Sequence, residues 1–172
     1  YKRQEIEAAL QEHRIDLGLV EGICRLPNLR YTTFLQDELV AVVHTGSKLS
    51  LPDEITPEDL SRIPLVLRER GSGTLDVFER ALSEHNMKLS SLNVLLYLGS
   101  TESIKLFLEH TDCIGIVSIR SISRELLSGT FRVIEIKGMP MLREFCFAQP
   151  QGQESGLSQV LMQFAMHHNK KL

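Results

Sequence analysis

Three stretches of the sequence place small hydroxyl side chains where a helix would begin: Ser72-Gly73-Thr74, Ser100-Thr101 and Ser118. Each follows an apolar run, namely Ile63-Pro64-Leu65-Val66-Leu67, Leu92 to Leu98, and Cys113-Ile114-Gly115-Ile116-Val117. A helix start offers free N–H groups and the positive end of the helix dipole, and a hydroxyl beside them makes it a seat for an anion or a polar oxygen. The same residue types are good N-caps, so the pattern serves equally well to finish a helix. Arg68 and Arg70, just before the first of these turns, either supply charge opposite to an anion or form a solvated face.

Catalytic versions of such turns are tested by spacing. A Walker loop needs G-x-x-x-x-G-K-[ST], and no lysine lies between Lys48 and Lys88. The dinucleotide fingerprint starts with Gly71 and Gly73 but has Asp76 where the last glycine should stand. No G-x-S-x-G elbow and no H-E-x-x-H pair occurs. His167-His168 has no partner at ligand spacing, and His110, Asp112 and Cys113 straddle a helix end before a buried strand. The reading is therefore a binding protein with no catalytic set, no metal ligands and no cofactor. The rival of a different class is a small α/β enzyme acting on a phosphorylated or carboxylated substrate at Gly71 to Thr74.

Composition narrows the setting. The 172 residues are 42% hydrophobic and 24% charged, enough to bury a core in one domain or two small lobes. The formal charge of −3 leaves no basic surplus for gripping nucleic acid, which would need another segment. Cys24, Cys113 and Cys146 are odd in number and far apart, which argues against a disulfide framework and for reduced thiols. No leader pattern and no apolar run of membrane-spanning length is present, so a soluble cytoplasmic protein without membrane contact is expected.

The elements that must position these turns follow from hydrophobic period. Ile6, Ala9, Leu10 and His13 mark a helix over residues 3 to 13, followed by a short buried strand from Ile15 to Val20. Leu29 to Phe34 and Glu38 to His44 read as strands, and Thr56 caps a short helix at Pro57. Val77, Phe78, Ala81 and Leu82 form the stripe of the helix after Thr74; Ile104, Phe107 and Leu108 form that of the helix after Thr101. Ile119, Ile122, Leu126 and Leu127 predict another helix, stopped by Gly129. Strands at Phe131 to Ile136 and Glu144 to Ala148 precede a closing amphipathic helix carrying Leu157, Val160, Leu161, Phe164, Ala165 and His168. Alternating strands and helices predict an α/β fold with mostly parallel sheets, whose ligand crevice lies at the carboxyl ends of the strands. Val20-Glu21-Gly22 is a further strand end of this kind.

In this order the segments "EIEAALQEHRIDLGLVEG", "LQDELVAVVHTGSKLS", "PLVLRERGSGTLDVFERAL" and "LGSTESIKLFLEHTDCIGIVS" resemble the effector-binding domain of LysR-type transcriptional regulators over nearly the whole chain. The resemblance implies a two-lobed fold similar to periplasmic solute-binding proteins, with a small-molecule effector in the cleft. It assigns residues 1–43 and 139–172 to lobe one and 44–138 to lobe two. It also implies a strand and a helix ahead of Tyr1 and a winged helix-turn-helix that carries DNA binding, none of them in this sequence. Ligand contacts are implied at Ser72, Gly73, Thr74, Ser100, Thr101, Val20, Glu21 and His44, and the strand-end argument adds Ser118. A carboxylate at Glu21 points to solvent or meets a donor group of the ligand. The implied assembly is a homodimer in which the first helix meets lobe two of the partner, with Ala8, Ala9 and Gln11 as its close-approach surface. The rival within the binding class is a free solute-binding protein, against which the absent export signal counts.

Overall fold

The computed structural model of the chain describes residues 3–21, 26–152 and 156–169. The chain divides into two compact units, Tyr1–Gln36 with Arg143–Leu172, and Asp37–Leu142.

In the first unit, helix α1 (Arg3–Gln11) precedes strand β1 (Gly18–Glu21), which pairs antiparallel with β8 (Met141–Pro150). The long strand β2 (Leu29–His44) lies on the other side of β8. Leu10, Val20, Leu29, Cys146 and Ala148 form the core between α1 and this sheet. Gly18 allows the approach, since a Cβ there would lie 2.4 Å from Ile6 Cγ2. The helix stops at Gln11, short of the expected residue 13, and His13 turns the chain in the left-handed region with φ 55°. Ala9 is buried within the chain, so of the expected association surface only Gln11 and the half-buried Ala8 remain. Glu7, though charged, is also buried, and it accepts hydrogen bonds from Arg3 Nε and Tyr31 Oη, each at 2.8 Å. Helix α5 (Gly156–Asn169) forms where the closing amphipathic helix is expected, and its apolar residues Leu157, Val160, Leu161 and Phe164 are 79%, 63%, 53% and 60% exposed.

The second unit has strand order β3-β7-β2-β6-β4-β5, with β3 (Glu54–Ile55), β4 (Leu65–Arg68), β5 (Val94–Leu98), β6 (Ile114–Ser118) and β7 (Phe131–Ile136). Helices α2 (Gly73–Glu84), α3 (Thr101–His110) and α4 (Ser123–Leu127) follow β4, β5 and β6. Alternate residues of each strand serve opposite faces. Leu65 and Leu67 of β4 join Leu75, Phe78 and Leu82 of α2 in one core layer, while Val66 joins Ile104 and Leu108 of α3 and Ile122 in the other.

The sheets are mixed where alternation predicted mostly parallel strands. β5, β4 and β6 are parallel neighbours, as are β3 and β7, but β2 runs antiparallel to β6 and β7. Helical crossovers return a chain parallel, and no described helix joins β2 or β8 to a neighbouring strand. β2 is also one continuous strand rather than two, because its flanking partners change along its length while its backbone stays extended. The helix expected after Ser118 is a 3-10 turn (Ile119–Ile122) leading into α4, and Leu127 at its end is 91% exposed. Thr56 does start a short 3-10 helix, with Asp59 accepting from its N–H at 2.9 Å and its hydroxyl at 2.8 Å. Gly129 stops α4 with φ 72°, as expected.

Cys24 lies outside the described residues; Cys113 and Cys146 are both buried. Burial, with the neighbouring Asp112 carboxylate, pushes the Cys113 thiol up to about 11. At pH 8 only about a thousandth of it is then thiolate, the reactive form. Iodoacetamide is expected to leave Cys113 unmodified in the native protein and to label it once the fold is opened by denaturant, which peptide mass mapping reads directly.

Candidate functional site

The carboxyl ends of β5, β4 and β6 lie side by side, and the chain leaves them in different directions. From β4 it passes to α2 on one face, and from β5 and β6 to α3 and to the Ile119–Ile122 turn on the other. Where neighbouring strands send their connections to opposite faces, the connections part and leave a crevice at the strand ends. β4 has such a neighbour on either side, so the Arg68 to Thr74 segment stands in the middle of the crevice. The register Leu39↔Ser118 brings β2 alongside as a fourth wall. At the usual spacing the walls from Ser100 to Leu39 span about 14 Å.

Ser72 is the N-cap of α2 and buried; its Oγ accepts from Leu75 N–H at 3.2 Å, leaving the hydroxyl proton to donate elsewhere. Gly71, with φ 84°, makes the turn ahead of it. Thr74 is buried in the first helical turn and Gly73 is half-buried. Ser100 is the N-cap of α3, accepting from Ser103 N–H at 3.1 Å and sharing a 2.8 Å hydrogen bond with the Ser103 hydroxyl. Thr101 opens α3, half-buried. At the β6 exit the Ser118 hydroxyl donates to Asp37 Oδ1 at 2.8 Å. All six hydroxyl or glycine positions expected in this unit therefore stand at three adjacent strand ends.

The charges are balanced rather than strongly cationic. Arg68 binds Glu69 through Nε at 2.8 Å and Nη2 at 3.0 Å, and its guanidinium holds the Glu69 carboxyl below the usual carboxylate range. The same Nη2 reaches Gly99 O at 3.3 Å, tying the β4 exit to the β5 exit. Arg70 is exposed with no ion pair among the described residues. Asp76 and Glu102 occupy the first turns of α2 and α3, and Lys105 takes up Glu102 at 2.8 Å. This arrangement suits a small polar molecule with one acidic group or several carbonyl and hydroxyl oxygens, not a polyanion. Replacing Ser72 by alanine is expected to cost about 1 kcal/mol of stability as a lost N-cap, and calorimetry checks it. Glycine at the same position should cost only a few tenths.

The other expected contacts are His44 on β2 and Val20 and Glu21 on β1. His44 follows Val43, which pairs with Ile114 at the start of β6, so it sits at the opposite end of the sheet from Ser118. Five residues of strand separate it from Leu39, about 17 Å. There its ring meets Phe131 edge-on and its Nδ1 accepts from Gly46 N–H at 3.2 Å. In the first unit, Val20 points into the core, leaving only its backbone to meet a ligand. Glu21 is held by Arg143 at 3.2 Å instead of facing solvent alone, and Arg143 lies 4.9 Å from the Phe145 ring centre; Gly22 lies outside the described residues. Sequence reasoning missed Asp37, Arg143 and Lys105. Asp37 was hidden in a polar gap between two expected strands, and the others resembled ordinary surface cations. A cavity of about 340 Å³ in the first unit, lined by Leu10, Gln11, His13 and Asn28 among others, is not at any of these strand ends. Among the described residues, no group of three or more His, Cys, Asp or Glu side chains is placed to hold a metal ion.

The LysR substrate binding domain family matches residues 2–170. The HTH-type transcriptional regulator YeiE of Escherichia coli K12 is 32% identical over 133 residues, 77% of this chain and 44% of that protein. The chain thus spans less than half the length of that relative. Among solved structures, the Synechocystis PCC6803 CcmR regulatory domain in complex with 2-PG superimposes with a TM-score of 0.80 at 24% identity, covering 99% of this chain and 81% of the other. The effector binding domain of QuiR in complex with shikimate does so with a TM-score of 0.75 at 19% identity, covering 99% and 79%. Such likeness carries the mixed α/β fold with flanking helices, and the matching family is one of substrate binding domains. The chain belongs to the LysR substrate binding domain family.

Proposed function

We propose that this domain senses a small polar metabolite, held at the carboxyl ends of β4, β5 and β6 by the α2 and α3 helix starts and Ser118. As part of a longer LysR-type regulator it controls transcription through a DNA-binding segment outside this chain. The observation that carries the reading is the convergence of three hydroxyl-bearing exits on adjacent strands, the middle one turning to the opposite face. The ligands named for CcmR and QuiR support a small-molecule effector. The mechanism is a population shift: an effector that binds one arrangement of the domain more tightly moves the equilibrium towards it, and the assembly transmits the change to DNA.

That assembly is a homodimer in the cytoplasm. Leu95, Leu96 and Tyr97 on the edge strand β5 and Leu106 on α3 are 46%, 41%, 37% and 61% exposed, apolar surface of the kind that subunit contacts cover. No described helix is long and apolar enough to cross a membrane. A thermal-shift screen of the full-length regulator against small carboxylates and phosphate monoesters tests the proposal. An effector at about one hundred times its dissociation constant adds roughly 2.7 kcal/mol of stability. Failure of every such compound to stabilise the protein, or full-length protein that binds no DNA, counts against it.

A further inference from the structure

We infer that Lys105 is a positioning residue of the effector site, fixing the α3 start relative to the β6 exit through a series of hydrogen bonds that ends on Asp37. The inference rests on the site proposed above. Lys105 is four residues after Thr101, one helical turn along α3, so it moves with that helix start. Its side chain is only 13% exposed. The ammonium pairs with Glu102 Oε1 at 2.8 Å, donates to Glu125 Oε1 at 2.7 Å, and donates to Ser121 O at 3.4 Å. Three protons thus meet three oxygens, two of which belong to the segment leaving β6.

From there the series runs back to the strand end. Ser121 Oγ donates to Ser118 O at 2.6 Å, and Ser118 Oγ donates to Asp37 Oδ1 at 2.8 Å. Asp37 is 6% exposed and is the first residue of the second unit, on the strand that continues back into the first. Glu125 makes the tie sensitive. Its Oε2 is buried without a hydrogen-bond partner, so without the lysine its carboxylate has reason to turn to water and take α4 with it. A solvated lysine, the ordinary role on a helix surface, has none of these constraints.

The test uses amide spectra of the ligand-free domain, then a titration with inorganic phosphate followed at Gly73 and Thr101. Lys105→Met keeps the apolar stem and removes the donors; Lys137→Met is the control at an exposed lysine outside the series of bonds. Lys105→Met is expected to shift the amides of Ser121, Ser118 and Asp37 and to weaken phosphate binding about fivefold. Asp37→Asn should in return move the Thr101 amide, and the double variant should lose less than the product of the two single effects. Perturbation that stops at Glu125, or a strictly multiplicative double variant, overturns the inference. Should Lys105→Met not fold, Glu125→Gln is read in the same way. If phosphate does not bind even the unaltered domain, the site reading fails, while the ligand-free amide shifts still decide the positioning role.

Discussion

Replacing Gly115 by leucine is expected to destabilise the domain by about 2 to 3 kcal/mol, the upper range for overpacking a core, and to damage effector binding with it. Gly115 lies on β6 beneath α3, and a Cβ added there would stand 2.9 Å from Ile104 Cγ2 and 3.1 Å from Leu108 Cδ1. Both neighbours are buried, at 0% and 1% exposure, and Val66 Cγ1 closes the third side at 3.5 Å. The longer side chain fits only if α3 lifts from the sheet. Ile104 is the fourth residue of α3, so lifting it displaces Thr101 and the Ser100 cap. Thermal unfolding should show a midpoint lower by roughly 5 to 10 °C for a domain of this size, and affinity for an effector should fall in the protein that remains folded. Gly115→Ala should be milder, because it adds one methyl group where leucine adds four carbons, although Ile104 Cγ2 at 2.9 Å must still give way. An unchanged midpoint for the leucine variant would mean that α3 does not press on β6 as described.

Thr101→Glu separates binding from stability. The residue is the first of α3, half-buried, and a carboxylate there complements the helix dipole, so stability should hold or rise by about 0.3 to 1 kcal/mol. The same charge stands where the account seats an acidic group of the effector. Like charges forced together in a binding site cost several kcal/mol, so the affinity should drop by about 100-fold or more. Titration calorimetry beside thermal unfolding gives both numbers. A variant that is stable and binds unchanged would place the α3 start outside the site.

The parts of this site that were legible in the sequence are those encoded locally. A hydroxyl after an apolar run, followed by a helical stripe, announces an N-cap whatever the rest of the chain does, and Ser72 and Ser100 are caps in the structure. That their strands are neighbours follows from the helices that join them, since a crossover returns a chain parallel. What was not legible depends on pairings distant in sequence. His44 and Ser118 both end strands, but β2 is antiparallel to β6, so those ends point apart. Asp37 comes beside Ser118 only through that register, 81 residues away in sequence. Glu21 and Arg143 meet across β1 and β8 in the same manner, 122 residues apart. The stripe of α5 shows the converse limit, since the period of Leu157, Val160, Leu161 and Phe164 specifies a face but not what lies against it.

The most direct test of the central claim is a crystal structure of the full-length regulator with its effector bound. The account predicts effector oxygens within hydrogen-bonding distance of the N–H groups or hydroxyls of Ser72 to Thr74 and of Ser100 or Thr101, with Ser118 alongside. An effector seated instead at the His44 end of the sheet, or in the cavity beside Leu10, Gln11 and Asn28, would contradict it.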